Sequence, residues 1–247
     1  MLSLIATPIG NLEDVSARAL RVLREADVLA CEDTRRTRIL LSHYNIPVPP
    51  VLVSYREHTE EQAGERLMGW LTQDKKVALC TDGGYPGISD PGYRIIRLAL
   101  ERGAAFEVIP GASAVPVALL LSGLPTSSYT FMGYPPRKPG PLRRFFAEEK
   151  DRAHTLVAFE SPFRVGATLR AALEALGDRQ AAVCIELTKK FERIHRGFLH
   201  DLHAELSGVR IKGEVTLVIA GNHPKFCRTA AIGDASSSPR VPAPATL

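Results

Sequence analysis

Between Cys80 and Gly92 the chain reads CTDGGYPGISDPG, which sets two carboxylates, Asp82 and Asp90, among Gly83, Gly84, Gly87 and Pro86. Glycine tolerates positive φ and has no Cβ, so a ligand can approach this backbone closely. Neither GxxxxGK[ST] nor GxGxxG occurs here, so the loop reads as a cradle for something other than a nucleoside triphosphate or a dinucleotide. Asp90 has two readings: the N-cap of a helix whose first residue is Pro91, or a carboxylate facing the ligand. Asp82 is a loop-shaping acceptor or a ligand contact. Four more polar clusters, TPIGN, EDTR, ESPFR and ELTK, follow short apolar runs. If those runs are strands of a parallel sheet, all five clusters share its carboxyl edge, where open α/β sheets bind ligands.

The flanking segments support such a sheet. Strands are expected over 2–6, 28–31, 51–53, 77–79 and 106–109, and helices over 16–26, 60–71 and 91–102. Strand and helix alternate, which argues for a mostly parallel sheet with helices on its faces. The apolar stretch 110–125 reads as a turn and a helix joining two halves, with Pro116 in its first turn. In the second half, strands are expected over 129–132, 155–159, 181–185 and 215–219. A helix ending at Gly177 is expected to start at Ser161 and Pro162. The loop GYPPRKPGP (133–141) is too rich in Gly and Pro for regular structure. From 224 onward the Ser-, Pro- and Ala-rich sequence is expected to be a disordered tail.

The 247 residues are 45% hydrophobic and 23% charged, as in an ordinary globular protein, and no apolar run approaches the roughly 20 residues of a membrane span. Cys31, Cys80, Cys184 and Cys227 form no CxxC pair; three lie in strand contexts as buried thiols, which points to a reducing cytoplasm and away from structural zinc. The seven histidines show no ligand spacing, and His195, His200 and His203 read as surface residues of a polar helical stretch. The net charge of +4 is small, but Arg35, Arg36 and Arg38, then Arg137, Lys138, Arg143 and Arg144, then Lys189, Lys190, Arg193 and Arg196 form basic clusters.

Taken in order, ATPIGNLEDVSARAL, ACEDTRRTRILLSHYNI, TDGGYPGISDPGYR, PGASAV, SGLPT, FESPFR, ELTKKFE and GEVTLVIAG cover about residues 2 to 222. In this the chain resembles the small-subunit ribosomal RNA cytidine 2′-O-methyltransferases, a branch of the tetrapyrrole-methylase superfamily. TPIGNLED together with EDTR is specific to that branch; the Gly/Pro loop alone points only to the superfamily. The resemblance implies two α/β domains of the tetrapyrrole methylase (class III methyltransferase) type, 1–112 and 113–223, with a 224–247 tail. It implies S-adenosylmethionine held in the cleft between them, no metal, a cytidine ribose of small-subunit ribosomal RNA as acceptor, and a homodimer. The family usually has SDAGTP where this chain has TDGGYP, so Tyr85 adds a ring beside the implied donor site. Phe163 replaces a common histidine, and Thr59 a frequent asparagine.

By the same resemblance, donor contacts are expected from Pro8, from Asp82, Gly83, Gly84, Tyr85 and Ile88, from Ser113 and Ala114, from Phe159 and Glu160, and from Leu187 and Thr216. On the acceptor side Glu32, Asp33, Glu186 and Lys189 are the expected catalytic groups, with Glu160 nearby. Lys189 beside Glu186 serves as a base if neutral, as a phosphate contact if charged, or forms an ion pair alone. Arg35, Arg36, Arg137, Lys138 and Arg164 are expected to track RNA phosphates. Two alternatives keep the fold: a C-methyltransferase acting on a tetrapyrrole, and a non-catalytic RNA-binding relative.

Overall fold

The computed structural model describes residues 1–228. In the first half, β1 (Leu2–Ile5), β2 (Val28–Cys31), β3 (Val51–Ser54), β4 (Val77–Cys80) and β5 (Phe106–Ile109) form an all-parallel sheet in the order β3-β2-β4-β1-β5. Side chains alternate across it, as the pleat requires. Ile5, Leu29, Cys31, Ala78 and Cys80 pack under α1 (Ala17–Glu25) and α2 (Thr34–His43). Leu2, Leu4, Val28, Ala30 and Leu79 face α3 (Glu60–Leu71) and α4 (Tyr93–Glu101). β1, β2 and β4 are buried throughout, the mark of strands covered on both faces. Their register aligns Ile5 with Cys80 and Cys31 with Cys80, so TPIGN, EDTR and TDGG leave the sheet side by side.

α5 (Ala114–Ser122) leads into the second half and ends at Gly123, whose φ of 73° closes the helix. It lies on a second sheet, with Val115, Ala118 and Leu119 against Val157, Ala182, Cys184 and Val218. That sheet contains β6 (Tyr129–Phe131), β7 (Thr155–Glu160), β8 (Gln180–Ile185), β9 (Arg193–Phe198) and β10 (Val215–Ile219), ordered β6-β7-β10-β8-β9. α6 (Pro139–Ala147), α7 (Val165–Leu176) and α8 (Leu199–Leu206) cover its other face through Phe146, Leu169, Ala172 and Leu202.

The expectation of a mostly parallel sheet holds in the first half and fails in the second. Here β10 pairs antiparallel with both β7 and β8, and β8 with β9. The strand-end argument survives, because β7 and β8 run parallel on either side of β10. Glu160 and Ile185 both face Val215, so ESPFR and ELTK leave the same edge that β10 enters. α2 and β9 were not among the expected elements. α6 begins at Pro139, inside the stretch expected to be irregular, because proline suits the first helical turn. His195 lies on β9 rather than on a helix, and Nδ1 faces Glu205 at 2.7 Å.

Two helix starts also differ from expectation. α4 begins after Gly92 (φ 146°), and the Gly92 N–H is taken at 2.6 Å by the buried Glu60 carboxylate of α3. Asp90 is therefore not the cap. α7 starts after Arg164 rather than at Pro162. The first residues of the expected tail are packed: Arg228 pairs with Asp201 at 2.8 Å, and its N–H bonds to the Asp178 carbonyl. The rest of the tail lies outside the described residues. Cys31, Cys80 and Cys184 are buried, each within a strand. Among the described residues, no helix is long and apolar enough to cross a membrane.

Candidate active site

The carboxyl edges of the two sheets face each other, and the contact is close. The Gly10 position leaves no room for a side chain: a Cβ there would stand 2.5 Å from Lys189 Cγ and 2.7 Å from the Leu187 carbonyl. The Asn11 N–H bonds to Thr188 Oγ1 at 3.1 Å, and Ile9 packs on the α5 side of the second sheet. The β8 end is held in an unusual shape, with Glu186 (φ 55°) and Thr188 (φ 62°) both left-handed. The Thr7 and Gly84 backbones exchange two 2.9 Å hydrogen bonds, and Thr7 Oγ1 donates to the Thr81 carbonyl. These bonds pin the Gly/Pro loop to TPIGN.

Two adjoining cavities open along this seam and share Ile9, Arg36 and Asp82. The smaller, of about 230 Å³, is lined by Glu32, Asp82, Gly83, Ala114, Phe159 and Thr216. Asp90, Ser89, Tyr134, Glu214 and Val215 complete it. The larger, of about 430 Å³, takes in Pro8, Gly10, Thr81, Glu186 and Lys189. Thr81 Oγ1 is buried there with no hydrogen-bond partner among the described residues. A Cβ on Gly83 would be 3.3 Å from the Pro8 carbonyl, so this wall of the cleft is bare backbone.

The electrostatics are acidic in the smaller cavity and paired in the larger. Arg36 binds Asp82 at 3.0 Å, and Asp82 also accepts the Asp33 N–H. Burial, then the Asp82 charge, pushes the Glu32 carboxyl up from its ordinary value. Burial raises Asp90 to about 7, with Glu32, Asp82 and Glu214 adding repulsion. Lys189 lies 2.8 Å from Glu186 and 3.0 Å from Glu214. For Lys189, burial works against the charge, but the two carboxylates outweigh it and the pKa rises. With two carboxylates this close, the arrangement favours Lys189 as a paired cation over a neutral base. For Glu186, burial is outweighed by Lys189 and by the Glu214 N–H, and the carboxyl stays below its ordinary range.

Of the expected donor contacts, Asp82, Gly83, Ala114, Phe159 and Thr216 line the smaller cavity and Pro8 the larger. Gly84 shapes the loop through Thr7. Ser113 precedes α5, Leu187 is buried behind the β8 end, and Ile88 is exposed; none of the three lines either cavity. The Tyr85 ring does not crowd the cleft. Its hydroxyl accepts the Gly111 N–H at 3.0 Å, tying the Gly/Pro loop to the PGASA turn. Glu160 is fully buried and is consumed internally by the Ser161 N–H, the Thr168 hydroxyl and Arg164, so it cannot reach an acceptor.

Arg164 is likewise structural. Its guanidinium donates to the Pro135 and Pro136 carbonyls and clamps the loop that carries Tyr134, which leaves it unsuited to RNA phosphates. Asp33 caps α2 and holds Arg35 in a two-bond ion pair. That pair keeps Asp33 below the carboxylate range, and neither residue lines a cavity. Arg137 and Lys138 are exposed just before α6, outside both cavities. Asp90, for which the sequence leaves a helix cap and a ligand-facing carboxylate both open, lines the cleft and caps nothing, whereas Glu214 and Tyr134 complete the cleft and were not among the expected site residues. Glu214 precedes its strand and reaches the edge only because β10 is antiparallel. Tyr134, lying in the Gly/Pro-rich loop, had no distinguishing signal. Among the described residues, no group of three or more His, Cys, Asp or Glu could hold a metal ion.

The sequence profile of the tetrapyrrole (corrin/porphyrin) methylases matches residues 1–203. The ribosomal RNA small subunit methyltransferase I of Halalkalibacterium halodurans is 46% identical over 91% of this chain and 77% of its own length. The protein of that name from Thermotoga maritima is 39% identical over 89% of this chain and 98% of its own. Among solved structures, the uroporphyrin-III C-methyltransferase of Thermus thermophilus, complexed with S-adenyl homocysteine, superposes with a TM-score of 0.59. It is 21% identical and covers 88% of this chain and 96% of that one, a likeness of fold. With a profile match over most of its length and relatives this similar, the chain belongs to the tetrapyrrole methylase family and, within it, to the branch of the ribosomal RNA small subunit methyltransferases I.

Proposed function

We propose that this chain transfers the methyl group of S-adenosylmethionine to the ribose 2′-oxygen of a cytidine in small-subunit ribosomal RNA, near the decoding centre. Methyl transfer follows from the family, and the ribosomal RNA from the names of the relatives. The observation that carries the reading is the pair of adjoining cavities at the facing sheet edges. One is lined by five of the residues expected to meet the donor, the other by the expected acceptor-side pair Glu186 and Lys189. We assign the donor to the smaller cavity, between domains 1–112 and 113–223, and the acceptor to the larger. A homodimer working in the cytoplasm belongs to the same reading.

The residues present fit such a donor. Bare backbone at Gly83 admits a flat ligand, Phe159 and Ile9 offer apolar walls, and the surplus of carboxylates suits a cation. When bound, S-adenosylmethionine supplies an activated methyl group on a positively charged sulfur. Gly83 and Gly84 shape the cradle, and Thr216 and Ala114 form its opposite wall. Glu32, with its raised pKa and only a 3.5 Å contact to the Asp82 N–H, takes the proton of the acceptor hydroxyl. Arg137 and Lys138, exposed just before α6, meet RNA phosphates, while Arg36 and Lys189 are held by carboxylates at the cleft.

The test is transfer of labelled methyl from S-adenosylmethionine to small ribosomal subunits lacking the modification, followed by digestion to nucleosides. Label in 2′-O-methylcytidine is the expected result. Label in another nucleoside, or none while the donor still binds, overturns the acceptor assignment. Light scattering checks the dimer: a mass of one chain would refute it.

A further inference from the structure

Three separate chain segments send four carboxylates to the smaller cavity: Glu32 after β2, Asp82 and Asp90 from the two ends of the Gly/Pro loop, and Glu214 before β10. Three of them are already engaged. Asp82 is bound by Arg36 at 3.0 Å and by the Asp33 N–H at 3.2 Å; Glu214 is bound by Lys189 at 3.0 Å; Glu32 accepts the Asp82 N–H at 3.5 Å. Asp90 has no hydrogen bond or ion pair among the described residues. Among the described residues, the one cation lining the cavity, Arg36, is spent on Asp82. Of the remaining walls, Ile9, Phe159, Ala114 and Val215 are apolar and do little to stabilise an ionised carboxyl, and the Ser89 and Thr216 hydroxyls that also line the cavity make no hydrogen bond to Asp90. Tyr134 faces the same space, and its phenol is raised by burial and then by Asp90, so it stays neutral.

We infer that Asp90 is the residue through which this cavity distinguishes a positively charged sulfonium ligand from the neutral thioether left after transfer. The inference rests on reading the smaller cavity as the donor site. With no cation in the cavity, Asp90 shares a proton near neutral pH, because burial and three neighbouring carboxylates oppose its charge. A cation placed there reverses that balance: Asp90 ionises and its proton passes to solvent. A neutral ligand of the same shape has no such effect. By linkage, whatever expels the proton must itself bind more weakly when the proton is abundant. Sulfonium affinity therefore falls by about tenfold between pH 8 and pH 6, while thioether affinity does not follow it. The product leaves a cavity that has lost its matching charge.

The experiment is titration calorimetry of the full chain with S-adenosylmethionine and with S-adenosylhomocysteine, between pH 6 and 8. Two buffers of different ionisation heat count the protons exchanged. About half a proton released at pH 7 with the sulfonium, and less with the thioether, is expected. Asp90→Asn should abolish the difference while both ligands still bind, whereas Glu32→Gln, which removes one of the three carboxylates opposing the Asp90 charge, should shrink it without abolishing it. Binding of both ligands with no difference in proton release, or an Asp90→Asn protein that keeps the difference, overturns the inference alone. The wild-type proton count is decisive even if the variant does not fold. Failure of either ligand to bind at millimolar concentration would overturn the donor-site reading, and the inference with it.

Discussion

Replacing Gly10 by alanine places one methyl group where the two sheets meet. Gly10 is not among the positive-φ glycines, so alanine meets no backbone strain and the effect is steric. The added carbon would stand 2.5 Å from Lys189 Cγ, 2.5 Å from Thr188 Oγ1 and 2.7 Å from the Leu187 carbonyl oxygen. The lysine stem can swing aside, but the carbonyl belongs to a backbone held on each side by a left-handed residue. To reach ordinary van der Waals separation, the Leu187 carbonyl must retreat by roughly 0.5–1 Å. Overpacking of this kind costs about 1–3 kcal/mol. Misplacement of a site by about 1 Å costs up to about a hundredfold in rate. The Gly10→Ala protein should melt roughly 2–10 °C lower and transfer methyl groups about 10- to 100-fold more slowly. Gly69→Ala is the control. It lies in α3 with nothing within 4 Å of the added carbon, and should gain up to about 1 kcal/mol at unchanged activity. Wild-type melting and activity in Gly10→Ala would refute the claim that this contact sets the width of the cleft.

Asp90→Asn should be more stable than the wild type at pH 8 and equally stable at pH 4. The folded carboxyl titrates near 7, against an ordinary 3.8, so the folded state holds the extra proton and wild-type stability falls as pH rises between those values. The full shift of about three units corresponds to roughly 4 kcal/mol, which is the upper bound on the gap read by urea denaturation at pH 8, because solvent screens the part-exposed carboxyl. A gap that widens towards acid would contradict the sign. Tyr85→Phe removes the acceptor of the Gly111 N–H and should cost about 0.5–1.5 kcal/mol, read from denaturation midpoints; no change would mean the brace is idle. Glu32→Gln should lower kcat by about 10²- to 10⁴-fold with donor affinity changed much less. Equal losses in both would make Glu32 a binding group and not the proton acceptor.

Short apolar runs bounded by turn residues were legible, and the expected strands at 28–31, 106–109 and 215–219 have the observed bounds. Local pattern does not encode pairing direction, so the antiparallel second sheet was not foreseen. β9, RIHRGF, interleaves basic and apolar residues on an edge strand and has no strong strand signature. α2 was hidden by its basic first turns, and its cap, Asp33, was read as chemistry. The lining of the candidate cleft was legible where polar residues stand at strand ends, as at Glu32, Asp82 and Lys189. It was misread where the fold uses the same types internally. Glu160 and Arg164 look like site residues in FESPFR, yet they bind helix and loop backbone. The missing member, Glu214, enters through pairing direction alone.

The order β6-β7-β10-β8-β9 has a consequence for synthesis. β10 is made last of the five strands and stands at the centre, so β7 and β8 have no shared partner until residues 215–219 are available. The pairs that β10 makes with β7 span more than fifty residues, a long-range contact of the kind that forms late. Glu214, Val215 and Thr216, which finish the smaller cavity, arrive with that same strand. During translation the first sheet can assemble from residues 2–109 alone, whereas the cleft cannot close until the second is complete. An incomplete chain therefore has a folded half but no finished site.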